Sequence, residues 1–397
     1  MIAAILVVVF AGGGVWLALP TVSQLFSLLT LGRRRPKRPP PDRQPRLLFL
    51  VPAHNEELLI TRCVESLKKQ GYPRELFEIV VIADNCEDGT AENARKFGAS
   101  VLERTDLVHR GKHAALSWTF GQVDLTRYDA IAIVDADTVV NPIFAARLAT
   151  WPDLTNRAIQ TAADFTNEFE TWLTRLGGLF NRYHYRVEFA LKSRAGLGVP
   201  LTGNGTVIGT ALLGRLGWRI VTITEGWELY ARYTAAGLRV DFEPEALHIT
   251  QEARSVNQGE DQRSRWASGR LRVARLYAWD LLTKPRLGLL QRIDVFAELL
   301  SGGPVFRAVA GLAGVAALGV ISPPGKLWLM ALWATGFLHP MILSVVALWS
   351  HPQPWPTIVA LARLPGYALW RGTLGLRRLV RRKQAAWIRT ERHVESG

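Results

Sequence analysis

Three apolar segments without any Asp, Glu, Lys or Arg constrain this chain most: residues 2–31, 308–320 and 327–349. The first is about thirty residues long, more than the roughly twenty that a bilayer crossing requires. Basic residues follow this segment, whereas a cleaved signal peptide has a basic start and a shorter apolar core. We therefore predict a retained transmembrane anchor whose N-terminus lies outside the cell.

Two further spans are predicted near the C-terminus, at about residues 308–321 and 327–349, with a turn at Pro323, Pro324 and Gly325 between them. The turn carries a single lysine, so the positive-inside rule places it outside. The domain before it and the tail after it then lie in the cytoplasm, as in an integral protein of the cell (inner) membrane. The first span is short and rich in Gly and Ala, so a re-entrant or interfacial placement is the alternative.

The formal net charge of +14 is concentrated in two basic clusters beside these segments, at residues 33–38 and 377–383. Such clusters are typical of the cytoplasmic flank of a membrane protein, where they contact anionic lipid. The first cluster lacks interleaved aromatic residues, so we expect membrane lipid as a partner and no nucleic acid. Cys63 and Cys86 do not have the spacing of a zinc site and are expected to be reduced thiols.

Between the spans, short apolar runs alternate with helical patterns. The predicted strands are residues 47–51, 78–83, 100–103 and 130–134, and the predicted helices are residues 56–70, 91–97 and 111–120. This alternation predicts parallel strands with crossover helices, that is, an α/β doubly wound sheet. The sequence contains neither a Gly-rich dinucleotide fingerprint nor a P-loop.

The predicted organisation has five parts. They are an N-terminal anchor at 1–31, a basic cytoplasmic linker at 32–46, the α/β domain at 47–285, an interfacial helix with two spans at 286–349, and an interfacial helix with a basic tail at 350–397. The two interfacial helices are predicted from mixed apolar and charged stretches at 287–306 and 358–376. Ordinary helices that pack on the domain are the alternative for both stretches.

Polar side chains follow three of the predicted strands, at His54-Asn55-Glu56, Asp84-Asn85 and Asp135-Ala136-Asp137. Ligands of open α/β sheets bind at the carboxyl ends of the strands. Alternate residues of an extended chain point the same way, so Asp135 and Asp137 could both face Mg²⁺ or Mn²⁺, together with diphosphate oxygens. The alternative is that these carboxylates cap a helix. Asp84 either accepts hydrogen bonds from a nucleobase or serves turn chemistry.

Further candidates lie along the rest of the domain. Lys112 is either a point charge beside a phosphate or a solvated residue at a helix start. The segment LTGNGTVIG at 201–209 contains Gly203 and Asn204 and is either a backbone that passes close to substrate or a loop leading into a strand. In QRSRW at 262–266, Arg265 suits a diphosphate and Trp266 suits a sugar face, although such a pair is often structural.

The ordered set of motifs resembles the membrane-bound family 2 glycosyltransferases, which include cellulose-, chitin- and hyaluronan-synthase-like enzymes and poly-N-acetylglucosamine synthases. The set is His54-Asn55-Glu56, Asp84, Asp135-x-Asp137, Thr224-Glu225 and Gln262-x-x-Arg265-Trp266, and it covers about residues 45–280. The resemblance implies a GT-A fold with a mostly parallel twisted sheet for residues 47–285. It also implies a nucleotide-diphosphate sugar donor, expected to be a UDP-sugar, a divalent metal (Mg²⁺ or Mn²⁺), and inversion at the anomeric carbon.

The resemblance also implies roles for individual residues. Asp84 would contact the nucleobase, and Asp135 and Asp137 would hold the ribose-diphosphate side and the metal. Gln262, Arg265 and Trp266 would bind the diphosphate and the acceptor, which is a saccharide or a lipid-linked molecule. The remaining expected substrate-binding residues are Pro52, His54, Glu56, Asn85, Lys112, Gly203 and Asn204.

The catalytic base is the point at which the sequence departs from this family. The base is typically the Asp of Thr-Glu-Asp, whereas this chain has Thr224-Glu225-Gly226. Glu225 is the favoured replacement, with Gly226 letting the backbone shift to place it. Glu228, about one helical turn further on, is the second candidate. The third explanation is a membrane sensor or scaffold that binds a nucleotide sugar without transferring it.

Overall fold

The computed structural model describes residues 2–29, 41, 43–300 and 302–369. Both predicted basic clusters lie outside these residues, as does the last part of the predicted interfacial stretch at 358–376.

One eight-stranded sheet forms the centre of the domain, in the order β3-β2-β1-β4-β7-β6-β8-β5. The strands are β1 (Leu47–Ala53), β2 (Phe77–Asp84), β3 (Ser100–Arg104), β4 (Ala130–Ile133), β5 (Val139–Val140), β6 (Ala158–Phe165), β7 (Thr206–Gly209) and β8 (Val240–Thr250). The four predicted strands are confirmed as β1 to β4, and they pair in parallel as expected. Alternate residues of β1 point to opposite faces of the sheet, so Leu48 and Leu50 join one apolar core and Phe49 joins the other.

The second half of the sheet is mixed. Strands β6 and β8 are parallel, whereas β7 runs antiparallel to β4 and β6, and β5 runs antiparallel to β8. The pairing of Ile133 with Thr206 places the start of β7 at the edge where β4 ends. The glycine-containing loop that precedes β7 therefore lies beside the Asp135 turn that follows β4.

Fourteen α-helices surround the sheet or extend from it within the described residues. They are α1 (Ile2–Leu28), α2 (Ile60–Lys68), α3 (Thr90–Lys96), α4 (Lys112–Thr119), α5 (Phe144–Ala149), α6 (Trp172–Arg182), α7 (Phe189–Ala195), α8 (Thr210–Leu216), α9 (Glu225–Ala235), α10 (Val256–Thr283), α11 (Leu289–Leu300), α12 (Pro304–Ile321), α13 (Lys326–Trp349) and α14 (Pro354–Leu361). A π-helical turn, Tyr183–Glu188, joins α6 to α7. The predicted helices are α2, α3 and α4. In α2, residues Ile60, Cys63, Val64 and Leu67 have helical spacing and form its buried face.

Three helices of the described chain, α1, α12 and α13, are long and apolar enough to cross a membrane, as predicted. Contacts of Phe10 with Trp333 and of Leu17 with Gly336 run in the same order along α1 and α13, so these two helices are parallel. Helix α12 packs antiparallel to α13. A Cβ on Gly311 would lie 2.7 Å from the carbonyl oxygen of Trp333, so glycine permits this close approach.

The stretch 287–306, predicted as one amphipathic helix, contains α11 and the start of α12, with Gly302 and Gly303 between them. Helix α11 packs against α1 and α10. Its buried Asp294 lies 3.0 Å from the ammonium of Lys192 on α7. This ion pair attaches α11 to α7 of the α/β domain.

A buried polar network joins the spans to the α/β domain. Gln24 of α1 donates to the carboxylate of Glu188 and accepts from Nε2 of His339 on α13 at 2.7 Å. Arg307 of α12 lies 2.6 Å from the other nitrogen of His339. Because polar groups buried among apolar helices need partners, this chain of contacts fixes the domain against the three spans.

Candidate active site

The Asp135-Ala136-Asp137 segment lies in a turn directly after β4. The backbone N–H of Thr138 donates to the carbonyl oxygen of Asp135 at 3.0 Å, which closes the turn. The expectation that Asp135 and Asp137 alternate along an extended strand is therefore wrong, because the strand ends at Ile133. Both carboxylates are nevertheless half-exposed at the strand end.

Lys112 brings three predicted segments together. It begins α4, and its ammonium contacts the carboxylate of Asp135, the carbonyl oxygen of Gly203 at 3.0 Å, and Oε1 of Glu225 at 3.6 Å. Desolvation lowers the pKa of Lys112, but the carboxylates of Asp135 and Glu225 outweigh it and raise the pKa above its ordinary value. Lys112 is therefore a fixed positive charge shared by two carboxylates.

The glycine-containing loop at 202–205 supports the Asp135 turn. The side chain of Asn204 accepts from the backbone N–H of Asp135 at 3.1 Å and donates to Thr138 Oγ1 at 2.8 Å. Gly203 and Gly205 have φ values of +91° and +61°, which favour glycine. The loop leads into β7, as the loop-into-strand alternative predicts for the backbone of this segment.

Glu225 is the first residue of α9, and its side chain is 17% exposed beside Lys112. Gly226 is buried in the first turn of this helix. A Cβ at position 226 would lie 2.5 Å from the carbonyl oxygen of Leu201 and 2.6 Å from the backbone nitrogen of Gly203. Gly226 has no positive φ, so the expected backbone shift does not come from an unusual glycine torsion. Glycine is required because the helix touches the loop backbone.

Glu228 is fully buried and engaged on several sides. Its carboxylate accepts from the backbone N–H groups of Val221 at 3.0 Å and Thr222 at 2.8 Å, and from the hydroxyl of Tyr277 at 3.1 Å. Burial, followed by the Glu228 carboxylate, raises the pKa of Tyr277 to about 12. Glu228 therefore fastens the 221–222 segment to α10.

A second group of polar side chains lies at the ends of β1 and β2. His54 Nδ1 is 2.8 Å from the carbonyl oxygen of Asp84, and Asn85 Oδ1 accepts from the backbone N–H of Asp106 at 2.8 Å. The Asp84 carboxylate forms a buried ion pair with Arg104 at 2.5 Å. Arg104 ends the neighbouring strand β3, and sequence reasoning missed it. An arginine at the end of a strand predicted next to the Asp84 strand was the available signal.

Two other predicted residues lie at the same edge. Pro52 is in β1 opposite Ile82 of β2. The backbone N–H of Glu56 donates to Thr90 Oγ1 at 2.7 Å, which ties the segment after β1 to the start of α3. Cys63 and Cys86 are free, as predicted, and burial raises the pKa of the Cys63 thiol well above its ordinary value.

The Gln262-x-x-Arg265-Trp266 motif lies on α10. The side chain of Gln262 is outside the described part of the structure, Arg265 is half-buried, and Trp266 is 49% exposed. One turn beyond Arg265, a Cβ on Gly269 would lie 2.2 Å from Thr224 Cγ2. Because residues four apart share a helix face, this contact directs the Arg265 face of α10 toward the start of α9.

His248 on β8 is a buried residue of the same region that the sequence did not single out. Its Nδ1 lies 2.9 Å from Thr161 Oγ1, which in turn donates to the carbonyl oxygen of Gly205. Burial lowers the pKa of His248 to about 4, so the imidazole is neutral at physiological pH. No motif in the sequence contains His248, and its strand, β8, was not predicted, so this residue could not be placed in the site.

The carboxylates of Asp135 and Asp137 suit a divalent metal whose remaining ligands would come from the substrate. Among the residues that the structure describes, no group of three or more His, Cys, Asp or Glu side chains is arranged to hold a metal ion. Asp135 and Asp137 offer two carboxylates on one turn. One or two carboxylates plus substrate phosphates is the usual protein environment of Mg²⁺.

Comparison with known proteins identifies relatives over the α/β domain. The model of the family described as "Glycosyltransferase like family 2" matches residues 45–269. A probable glycosyltransferase of Bacillus subtilis, YdaM, is 26% identical over 239 residues, which is 57% of this chain and 55% of YdaM. Beta-monoglucosyldiacylglycerol synthase of Trichormus variabilis is 28% identical over 268 residues, covering 65% and 55% of the two chains. The chain thus spans about half the length of these curated relatives.

A solved structure shows the same fold over nearly the whole chain. The mannosyltransferase PcManGT of Pyrobaculum calidifontis, solved in complex with GDP-Man and Mn²⁺, superposes with a TM-score of 0.57 at 19% identity. The match covers 94% of this chain and 99% of that chain. The predicted GT-A fold with apolar helices at its N- and C-terminal sides is therefore confirmed.

Proposed function

Because the chain belongs to glycosyltransferase-like family 2, we propose that it transfers a sugar from a nucleotide-diphosphate sugar to an acceptor at the membrane surface, with inversion at the anomeric carbon. The observation that carries this proposal is the position of Lys112, whose ammonium contacts Asp135 and lies 3.6 Å from Glu225. Asp135, which is proposed to face the sugar donor, and Glu225, which is proposed to face the acceptor, therefore lie beside the same Lys112 ammonium.

Donor binding is assigned to the edge formed by the ends of β1, β2 and β4. Asp84 contacts the nucleobase, and its ion pair with Arg104 at 2.5 Å orients the carboxylate for that contact. Pro52, His54, Glu56 and Asn85 complete this end of the site. A UDP-sugar is the proposed donor.

The diphosphate lies toward Asp135, Asp137 and Lys112. A divalent metal, Mg²⁺ or Mn²⁺, bound by the two aspartates would neutralise the negative charge that grows on the departing nucleoside diphosphate. Lys112 and Arg265 stabilise the same charge as fixed cations. Gly203 and Asn204 belong to the loop whose backbone faces the diphosphate. Gln262 and Trp266 bind the acceptor.

Glu225 is the proposed general base. Its partly exposed carboxylate accepts the proton of the acceptor hydroxyl as that oxygen attacks the anomeric carbon from the face opposite the leaving group. Glu228, the other candidate, is dropped as a base. Its carboxylate is 0% exposed and accepts two backbone N–H groups and the Tyr277 hydroxyl, so an acceptor hydroxyl has no access to it.

We further propose that the acceptor is a lipid and that the domain faces the cytoplasm. Three helices are long and apolar enough to cross a membrane. Gln24 of α1 links them to the α/β domain, because its side chain contacts Glu188 of the domain and His339 of α13, and Arg307 of α12 contacts the same His339. The relative from Trichormus variabilis is named for synthesis of a glucosylated diacylglycerol. A saccharide acceptor is the alternative.

The test is a donor and acceptor screen with the purified full-length chain in detergent. UDP-glucose, UDP-galactose, UDP-N-acetylglucosamine and GDP-mannose are each supplied with Mg²⁺ or Mn²⁺ and with diacylglycerol, a polyprenyl phosphate or an oligosaccharide. We expect release of UDP together with a glycosylated lipid, and loss of both on adding EDTA. Binding of a nucleotide sugar without turnover on any acceptor would instead indicate the non-catalytic sensor.

A further inference from the structure

A groove of about 580 Å³ lies between the α/β domain and the last turns of α13, formed by none of the residues assigned to the donor or acceptor. One wall comes from the end of α6 and the π-helical turn, and the other comes from α13. The lining residues are Arg182, Arg186, Val187, Val345, Val346, Trp349 and Ser350.

The α13 wall is apolar and exposed. Val345 and Val346 are 54% and 48% exposed, and Trp349 is 90% exposed at the last residue of a helix able to cross a membrane. Tryptophan at the end of a span typically lies at the level of the lipid headgroups. The groove therefore opens where headgroups meet acyl chains.

The opposite wall carries two arginines about one helical turn apart. The guanidinium of Arg182 lies 3.4 Å from the Glu168 carboxylate. The guanidinium of Arg186 lies 3.6 Å from the Asp164 carboxylate and 3.4 Å from the carbonyl oxygen of Pro244. Glu168 is also shared with His351 at 2.7 Å. These distances are at the long limit for a hydrogen bond, whereas each guanidinium has five N–H donors. Both arginines therefore keep hydrogen-bonding capacity for an anion.

We propose that this groove binds the phosphate headgroup of an anionic membrane phospholipid, with an acyl chain along Val345 and Val346. The arginine fork matches phosphate geometry, and the apolar wall distinguishes a lipid from a free phosphate ion. In the orientation proposed above, this end of α13 faces the cytoplasmic leaflet, where anionic lipids are concentrated. The groove is independent of glycosyl transfer, so its test does not depend on finding the donor.

The test uses the full-length chain in detergent, titrated with fluorescent phosphatidylglycerol and with fluorescent phosphatidylcholine. We expect phosphatidylglycerol to bind about tenfold more tightly, and Arg186→Gln to remove most of that preference, because a charge-assisted hydrogen bond contributes about this much. Arg95→Gln is the matched control, since Arg95 is also an arginine paired with a carboxylate, Glu103, but lies on α3, away from the groove. This control should bind both lipids as the unaltered chain does.

A second variant keeps the proposal testable if Arg186→Gln does not fold. Val346→Trp adds bulk on an exposed face of α13 and should block the groove, so that binding of phosphatidylglycerol falls to the level of phosphatidylcholine. Equal binding of the two lipids by the unaltered chain would overturn the proposal. The proposal would also be overturned if glycerol phosphate displaced the bound lipid with the same affinity as the lipid itself. Unchanged binding of phosphatidylglycerol by Val346→Trp would overturn it as well.

Discussion

Gly226 and Leu201 are in backbone contact: a Cβ at position 226 would lie 2.5 Å from the Leu201 carbonyl oxygen. The first turn of α9 therefore rests on the loop that supports the Asp135 turn. This packing sets Glu225 beside Gly203, where a Cβ would lie 2.9 Å from Glu225 Oε1. The missing aspartate and the position of Glu225 thus have one structural cause, the close approach of helix and loop.

Gly226→Asp, which restores the residue typical of the resembling enzymes, should therefore abolish transfer rather than increase it. The new side chain meets backbone atoms of Leu201 and Gly203, and overpacking of this kind costs about 1–3 kcal/mol or more. Thermal unfolding and the initial rate of transfer measure the two effects.

Gly214→Ala is the control for this substitution. Gly214 also lies within a helix, α8, but a Cβ there has no atom within 4 Å. Alanine should raise the free energy of unfolding by about 0.5–1 kcal/mol, the usual gain over glycine inside a helix. A stable Gly226→Asp variant with increased transfer would show that the contact with the loop is not limiting.

Lys112→Gln should lower kcat/KM for the donor by about 10²-fold, since removing one preorganised charge or donor from a reacting centre has effects of this order. Without the ammonium, the carboxylates of Asp135 and Glu225 repel each other and lose their common partner. Lys69→Gln is a suitable comparison because Lys69 is 75% exposed in a surface pair with Glu65. Steady-state kinetics give kcat/KM for both variants. Equal values for Lys112→Gln and Lys69→Gln would show that Lys112 does not act in the site.

The stability of the protein should fall as the pH is lowered from about 6.5 to about 4, and His248 should cause part of this fall. The unfolded state binds a proton on His248 in this window, whereas the buried imidazole does not, so unfolding is favoured as pH falls. At about 1.4 kcal/mol per pH unit, the free energy of unfolding drops by up to about 3 kcal/mol. Denaturant unfolding in EDTA at several pH values should show a shallower slope for His248→Asn. Identical slopes would mean that folding does not lower the pKa of His248, because the folded and unfolded states would then bind its proton equally at each pH.

The part of the fold that the sequence predicts is the part made of local patterns. Strands β1, β2 and β4 contain continuous apolar runs, and the segments 2–31, 308–320 and 327–349 are uncharged, so each is visible without tertiary information. Strands β5, β6 and β8 were not predicted. The order of the mixed sheet depends on pairings such as Ala158 with Val240, which link residues far apart in the chain and leave no periodic signal.

The residue types of the candidate site were predictable, but their roles depended on packing. The sequence favours Glu225 over Glu228 only through its place next to Gly226, whereas burial and the contacts of Glu228 with Val221, Thr222 and Tyr277 separate their roles. The function of Gly226 was misjudged because close contact between backbones is not encoded in the residues next to it. Arg104 and His248 were missed because their partners, Asp84 and Thr161, lie on other strands and are distant in the sequence.

The rate of transfer by Glu225→Gln, compared with Glu228→Gln and the unaltered chain, tests most directly whether Glu225 is the base. Glutamine keeps the shape of the side chain but cannot accept the proton. Transfer by Glu225→Gln should fall by about 10²–10⁴-fold, with donor binding retained. Glu228→Gln should lose stability by about 1–3 kcal/mol yet retain transfer below its unfolding temperature. Unaltered transfer by Glu225→Gln, or its loss only in a folded Glu228→Gln, would contradict the assignment.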